Sequence, residues 1–506
     1  MGRSFVRLLR IIAICSLVSY ASAVAAFDFD DVAKRAQQLA ARPYQPSSVR
    51  LPKELASLGY DRYRDIRYRT DRSVWREQKL PFELQFFPMG TFYDQPVRMH
   101  EIVNDVVRDI RFDPALFDIG KNTIDPGIWR GLDFGGFRAH YPINTQKYRD
   151  EVIAFLGASY FRAVGKGQRY GASARGLALD TALASGEEFP RYTDFWIERP
   201  GANARELVIY ALLDSRRVAG AYRFILRPGA ETLIDVKARL FLRENVTKFG
   251  IAPLTSMFHF GENQRPHHDD YRPEVHDSDG LLIHSGTGEW LWRPLVNPRR
   301  LLVTSFALVN PIGFGLMQRD REFEHYQDLE ARYELRPSIW VEPRGNWGAG
   351  RVELVLIPSP DETNDNVVAY WVPDTPPAVR EPFDVEYRLH FQRDNETHGP
   401  QSWVSASRRG HGYSRGNDPT IGFVIDFDGP ALRKLSPEAV IEAIVTAVSN
   451  AEIVENIVAR NEVTGGARVR LRVRRLDDAR PVDLRAFLRT DGNTVSTTWS
   501  YIIPPN

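Results

Sequence analysis

The chain is almost without cysteine: its 506 residues contain one, Cys15, inside an apolar run near the N-terminus. Disulfide frameworks and cysteine-based metal or nucleophile chemistry are thereby excluded from everything that follows that run. Long apolar segments are missing too, since nothing after the first 26 residues approaches the ~20 residues that a membrane span needs. A surplus of charge is lacking: 66 Lys and Arg stand against 65 Asp and Glu, a net charge of +1. Binding a polyanion draws on a basic surplus or patch, so nucleic acid is not an expected partner. Two familiar loops are absent as well. Gly165-Lys166-Gly167 lacks the spacing of a phosphate-cradling loop, and Gly171-Ala172-Ser173-Ala174-Arg175 ends in arginine where a nucleophile elbow wants glycine.

What is present begins with an export signal. Arg3, Arg7 and Arg10 form a basic start, Ile11 to Ser19 an apolar centre, and Val24-Ala25-Ala26 a small-residue cleavage site, so residues 1–26 read as a signal peptide. No Arg-Arg pair occurs there, which favours the Sec route, and Ile14 before Cys15 is unsuited to a lipoprotein site. Cleavage near Ala26 removes three positive charges and moves the net charge from +1 to −2. The expected location is the periplasm of a two-membrane bacterium.

Beyond the signal, Asp30 or Asp31 is placed to cap a short helix over 29–41. From about residue 80 the pattern is β. Segments 206–214, 221–229, 232–245, 299–310 and 383–391 are rich in branched and aromatic residues, often alternate, and are separated by turn residues. An all-β fold built as sandwiches follows. The polar stretch 394–419 is unpatterned and reads as a linker or lid loop, its cationic part 402–418 suited to closing over a groove. It divides a large domain, 27–393, from a small β module, 420–506. Within that module, 440–448 has strand composition but follows Ser436-Pro437, a helix-start signal, and is assigned to strand.

The chemistry concentrates in PHHDDYRPEVHDSDG, 266–280, which holds three of the eleven histidines and five carboxylates. Metal binding, acid/base catalysis and a solvated turn are the three readings. His267, His268, Asp269 and Asp270 match no spaced ligand motif, and the Asp277-Ser278-Asp279-Gly280 run puts glycine two positions early for a calcium loop, so no metal or other cofactor is expected. A second acidic loop, with Asp361, Glu362 and Asp365, also precedes an apolar strand. Two carboxyl groups brought together by the fold are what glycoside hydrolysis requires, one to protonate the leaving oxygen and one to activate water. Trp290, Trp292, Trp340, Trp347 and Trp371, half of the ten tryptophans, lie between and around the two loops. Singly each suits a core; as a set they favour a carbohydrate cleft.

These residues carry a family resemblance. FLGASYFRAVGKGQRYGASARGLALDTA (155–182), LTSMFHFGENQRP (254–266), RPEVHDSDGL (272–281), PRGNWGAGRVELVLIP (343–358) and DETNDNVVAYW (361–371) resemble the OpgG/OpgD family of periplasmic glucans biosynthesis proteins over nearly the whole exported chain. The missing twin arginines point to its G branch. The resemblance implies a mutarotase-like N-terminal β-sandwich, an immunoglobulin-like C-terminal one, and a role in making osmoregulated periplasmic glucans. It further implies an inverting endo-β-1,2-glucanase, with Asp365 matching the general acid and Asp277 the base side of the proton path. Tyr333 and Glu362 match substrate-contacting positions, and His276, Asp279, Trp292 and Trp340 are assigned to substrate binding beside them. Implied partners are β-1,2-glucan and the inner-membrane glucan glycosyltransferase, with a homodimer left open. The rival reading is a non-catalytic glucan-binding scaffold that guides the polymer during export or branching.

Overall fold

The structure is a computed structural model that describes residues 26–505 except 267, 395 and 411–417. The signal segment up to residue 25, His267 and the middle of the lid stretch therefore lie outside the described residues. Helix Phe29–Ala40 opens the fold. Its cap is Asp28, not Asp30 or Asp31: the Asp28 carboxylate accepts from the backbone N–H of Asp30 at 2.8 Å and Asp31 at 3.3 Å, and the Asp31 carboxylate accepts from the Asp28 backbone N–H at 3.1 Å. Phe29 is the reason, because its buried ring belongs to the face that packs, with Val32 and Ala36, against Trp196 and Tyr210.

The protein is all-β, as its alternating segments predict. A ten-stranded sheet runs from Glu83–Pro88 through Phe134–Thr145 and Tyr148–Leu156 to Phe249–Ser256, Val367–Pro373, Ala349–Leu356 and Leu302–Val309. A fifteen-stranded sheet includes Leu207–Asp214, Val218–Arg227, Thr232–Leu242, Pro382–Gln392, Ser338–Arg344, Gly313–Met317, Gly280–His284 and Trp290–Pro294. The two face each other across an aromatic core. Phe155 of the first lies 5.1 Å from Phe195 and 5.2 Å from Phe224 of the second, ring centre to ring centre. Offset and edge-on rings at such spacings add to the area they bury.

The C-terminal strands make a second, smaller sandwich. Glu442–Ser449, Val482–Thr490 and Thr498–Ile503 form one layer, and Trp403–Arg409, Ile421–Asp428, Ala467–Arg475 and Ala451–Arg460 the other. Phe423 bridges them, 4.8 Å from Tyr501 and 5.4 Å from Trp499. The disputed segment 440–448 is a strand from Glu442, paired with Val482–Thr490.

Two features depart from expectation. Residues 403–409, placed in a linker or lid, are an edge strand of the small sandwich. A bulge between Val404 and Ala406 breaks their alternation, which is why the segment looks unpatterned. The seam between the sandwiches is not a flexible tether on that side either. Leu291 and Trp292 pair in parallel with Thr498 and Trp499, so one sheet passes from the large sandwich into the small one.

Candidate active site

The two acidic loops are fastened to two adjacent residues. The backbone N–H of Asp277 donates to the carbonyl of Met257 at 2.8 Å. At the next residue, Phe258, the backbone N–H donates to the Asn366 side-chain oxygen at 2.8 Å, and the carbonyl accepts from the Asn366 amide at 2.9 Å. Asn366 is 1% exposed and also donates to Ile357, closing the acidic loop at its base. The Asn-Asp-Asn triplet is thus one anchor and one presented carboxyl: Asn366 pins the loop and Asp365 projects from it.

Arginines frame both carboxyls. Asp277 is 6% exposed and receives a charge-assisted bond from Nη1 of Arg336. That guanidinium lies 4.2 Å above the Tyr333 ring, and its side chain crowds Gly171, where a Cβ would come within 2.8 Å. Gly171, in the run that fails as a nucleophile elbow, is the hollow that admits Arg336. Asp365 is 28% exposed and lies 3.5 Å from Nη2 of Arg162, whose Nε donates to Ser173 at 2.7 Å. Burial pushes the Asp365 carboxyl above the usual range and the charge of Asp277 pushes the same way, while Arg162 and Arg336 oppose them. Asp277, Asp365, Arg162 and Arg336 therefore share one electrostatic field. Nothing in the spacing of the sequence singles out either arginine, since each sits in a segment whose pattern is dominated by apolar neighbours.

Tyr333 and Glu362 belong to the same neighbourhood. Tyr333 is 2% exposed, and burial, then the Arg336, Glu362 and Asp277 charges, act on its hydroxyl, leaving it raised. Glu362 accepts from Arg272 at 2.7 Å, and the same guanidinium binds Asp270 at 2.9 Å and Asp328 at 3.0 Å. Asp270 and Arg272 are thus a brace for the acidic loop. His268 is half exposed beside Asp270, with His259 stacked 5.4 Å away.

His276, Asp279 and Trp292 face elsewhere. Adjacent residues on an extended strand point to opposite sides, and His276 turns away from Asp277 into a separate cavity of about 230 Å³ lined also by Glu262, Glu274, Arg319 and Ser407. Gln318 donates to the carbonyls of His276 and Tyr333, so its oxygen accepts from Nδ1 of His276 at 2.8 Å. Nε2 meets Glu274 at 2.8 Å; burial opposes the imidazolium, yet Glu274 keeps the ring above its ordinary value. Glu274, Asp320 and His325 bring ligand atoms within 4.8 Å of one another, but Glu274 serves His276 and Asp320 serves His325.

Two carboxyls in this cavity are unusual. Burial pushes Asp279 up to about 7 and Glu262 up to about 7, although Asp279 accepts from two backbone N–H groups and Glu262 meets Arg408 and Ser407 of the small sandwich. Folded-state values above the unfolded ones mean that the native protein holds more protons between about pH 4 and pH 7. Their contribution to stability is present at pH 4 and lost as pH rises through 7. Urea midpoints of the wild type are accordingly expected to decline from pH 5 to 8 more steeply than those of a Glu262→Gln, Asp279→Asn double variant.

The tryptophans are mostly core. Trp292 and Trp340 are each 4% exposed and Trp371 is fully buried. Each ring covers a glycine: Trp292 covers Gly280, Trp340 covers Gly313, and Trp371 covers Gly350, where Cβ atoms would come within 2.1, 2.2 and 2.5 Å respectively. Trp340, expected at the substrate, packs in this way over Gly313, and its other neighbour is Trp290, 5.9 Å away and nearly parallel. Trp292 reaches its cavity only as a wall beneath the Arg319 guanidinium, 3.7 Å from the ring centre.

The family described as "Periplasmic glucan biosynthesis protein, MdoG" matches residues 27–503. The chain belongs to that family. It is 60% identical to "Glucans biosynthesis protein G" of Ralstonia nicotianae over 96% of this chain and 97% of that protein. It is 50% identical to the protein of the same name from Pseudomonas aeruginosa (strain LESB58) over 99% and 97%, and 50% identical to that of Pectobacterium atrosepticum over 95% and 94%. The sequence blocks that carry the family resemblance supply the walls just described: 155–182 holds Arg162, Gly171 and Ser173, and 254–266 holds Met257 and Phe258. Among the described residues no helix is long and apolar enough to cross a membrane.

Proposed function

We propose that this member of the periplasmic glucan biosynthesis family is exported to the periplasm and acts there on the β-1,2-glucan backbone as an inverting endo-β-1,2-glucanase. The observation that carries the reading is the pair of carboxyls on loops tied to Met257 and Phe258, with Asp365 kept in its protonated form more readily than a free carboxyl. Asp365 gives its proton to the glycosidic oxygen as the bond from that oxygen to the anomeric carbon breaks. Water attacks that carbon from the opposite face and loses a proton toward Asp277, whose negative form Arg336 stabilises. Tyr333, beneath the Arg336 guanidinium, and Glu362, braced by Arg272, are the residues this reading assigns to contact with the sugar. Incubation with linear β-1,2-glucan tests the reading: shortening with an initially inverted product anomer, followed by NMR, supports it. Binding without shortening would favour the scaffold that hands polymer on from the membrane glycosyltransferase.

The acid role has a pH signature. Turnover falls as pH rises through the value at which Asp365 loses its proton, a value raised from that of a free carboxyl and held down by Arg162. Arg162→Gln removes that restraint, so the alkaline limb of the kcat profile is expected to move to higher pH. A limb that stays in place or moves down would show that another group limits the reaction.

A further inference from the structure

A groove of about 810 Å³ opens where the two sandwiches meet, and it shares no lining residue with the Asp277–Asp365 cluster. Strand Gly280–His284 connects the regions: its first residue adjoins Asp279, and its last, His284, faces the groove, on the order of 13 Å along the strand. The volume falls within the ~300–1,000 Å³ of small-ligand sites.

Its walls combine flat rings with unused polar atoms. His284 stacks on Trp290 at 3.9 Å, and Trp290 in turn lies nearly parallel to Trp340, a three-ring ladder whose outer imidazole is open to the groove. On the other wall His398 stacks on Trp403 at 4.0 Å. Among the described residues the indole N–H of Trp290, both ring nitrogens of His284, Nε2 of His398 and the Gln401 side-chain amide have no hydrogen-bond partner.

The charge of the groove narrows the ligand. Among the described residues Glu289 is its one carboxylate, and that group is engaged by Arg485 and by the Thr498 hydroxyl at 2.8 Å. Burial holds His284 below its ordinary value, so it presents a neutral ring. An anion would meet no free cation here and a cation no free anion. A neutral ligand with flat apolar faces and many hydroxyls matches, because each face covers a ring and each hydroxyl meets a free donor or acceptor.

We propose that this groove is a second saccharide site, which holds a stretch of the same glucan whose linkage is cleaved at Asp277 and Asp365. The inference rests on the glucan reading above. Two sites on one polymer raise the effective concentration of the chain at the catalytic one, so long glucans gain affinity that short ones do not.

Calorimetric titration of the full chain carrying Asp365→Asn with a short linear β-1,2-glucan oligosaccharide tests it. Two binding events per chain are expected, and Trp290→Ala should remove one or weaken it about tenfold or more. Because Trp290 also supports Trp340, a second variant guards against misfolding. The exported chain has lost Cys15 with its signal segment, so Thr494→Cys places a unique thiol at the exposed rim, and a bulky maleimide there fills the groove. The label on an active enzyme should leave turnover of short oligosaccharides unchanged and raise KM for the long polymer severalfold. One binding event, untouched by the label or by Trp290→Ala, overturns this inference and leaves the glucanase reading standing. Absence of any saccharide binding overturns both.

Discussion

Asp365→Asn is expected to lower turnover of linear β-1,2-glucan by about 10²–10⁴-fold, the range that a positioned general acid supplies. The substitution keeps the shape of the side chain and removes only the proton it can donate. Its loop should hold, because the anchor is Asn366, bonded to Phe258 and Ile357, and among the described residues the Asp365 side chain makes only the 3.5 Å contact with Arg162. Affinity for glucan should therefore change little, and the loss should fall on kcat. Activated substrates sharpen the test. A good leaving group needs no protonation, so a β-linked glucoside carrying one should lose far less rate than the natural polymer. Equal losses on both would show that Asp365 holds the substrate and does not protonate it.

The strands were readable because one face of each meets the core. Leu207–Asp214 and Thr232–Leu242 alternate or run apolar as buried strands must, and they lie within two or three residues of the expected bounds. The edge strand Trp403–Arg409 was not, since a bulge erases its period and only Val404 and Ser407 are buried. At the site, the acidic residues ahead of apolar strands drew attention to the two loops, and the family resemblance singled out Asp277 and Asp365 within them. The arginines beside them did not stand out, because ion pairing is a relation between distant segments and leaves no local period. Part of the tryptophan density has a packing cause. A ring over a strand glycine fills space that the glycine vacates, and the paired glycines, Gly280, Gly313 and Gly350, were the unused signal.

Removing Arg336 should cost more stability than any other single change at the site. Asp277 is 6% exposed and Arg336 18%, so Arg336→Ala leaves a carboxylate that water barely reaches with no counter-charge. Breaking such a pair from one side costs about 3–5 kcal/mol, and the lost contact with the Tyr333 ring adds to it. The guanidinium also donates to the carbonyl of Ala331 from Nε and Nη2, which helps hold the turn that presents Tyr333. Arg336→Lys keeps the charge but loses the fork that spans Asp277 and Ala331, so an intermediate loss is expected. Urea unfolding of the single and double variants separates charge from packing. Asp277→Asn added to Arg336→Ala should recover most of the lost free energy, because the unpaired charge is gone, while glucan cleavage stays abolished for want of the base. A double variant no more stable than Arg336→Ala alone would mean that Arg336 acts through packing against Tyr333 and Gly171, and that Asp277 does not depend on it for its charge.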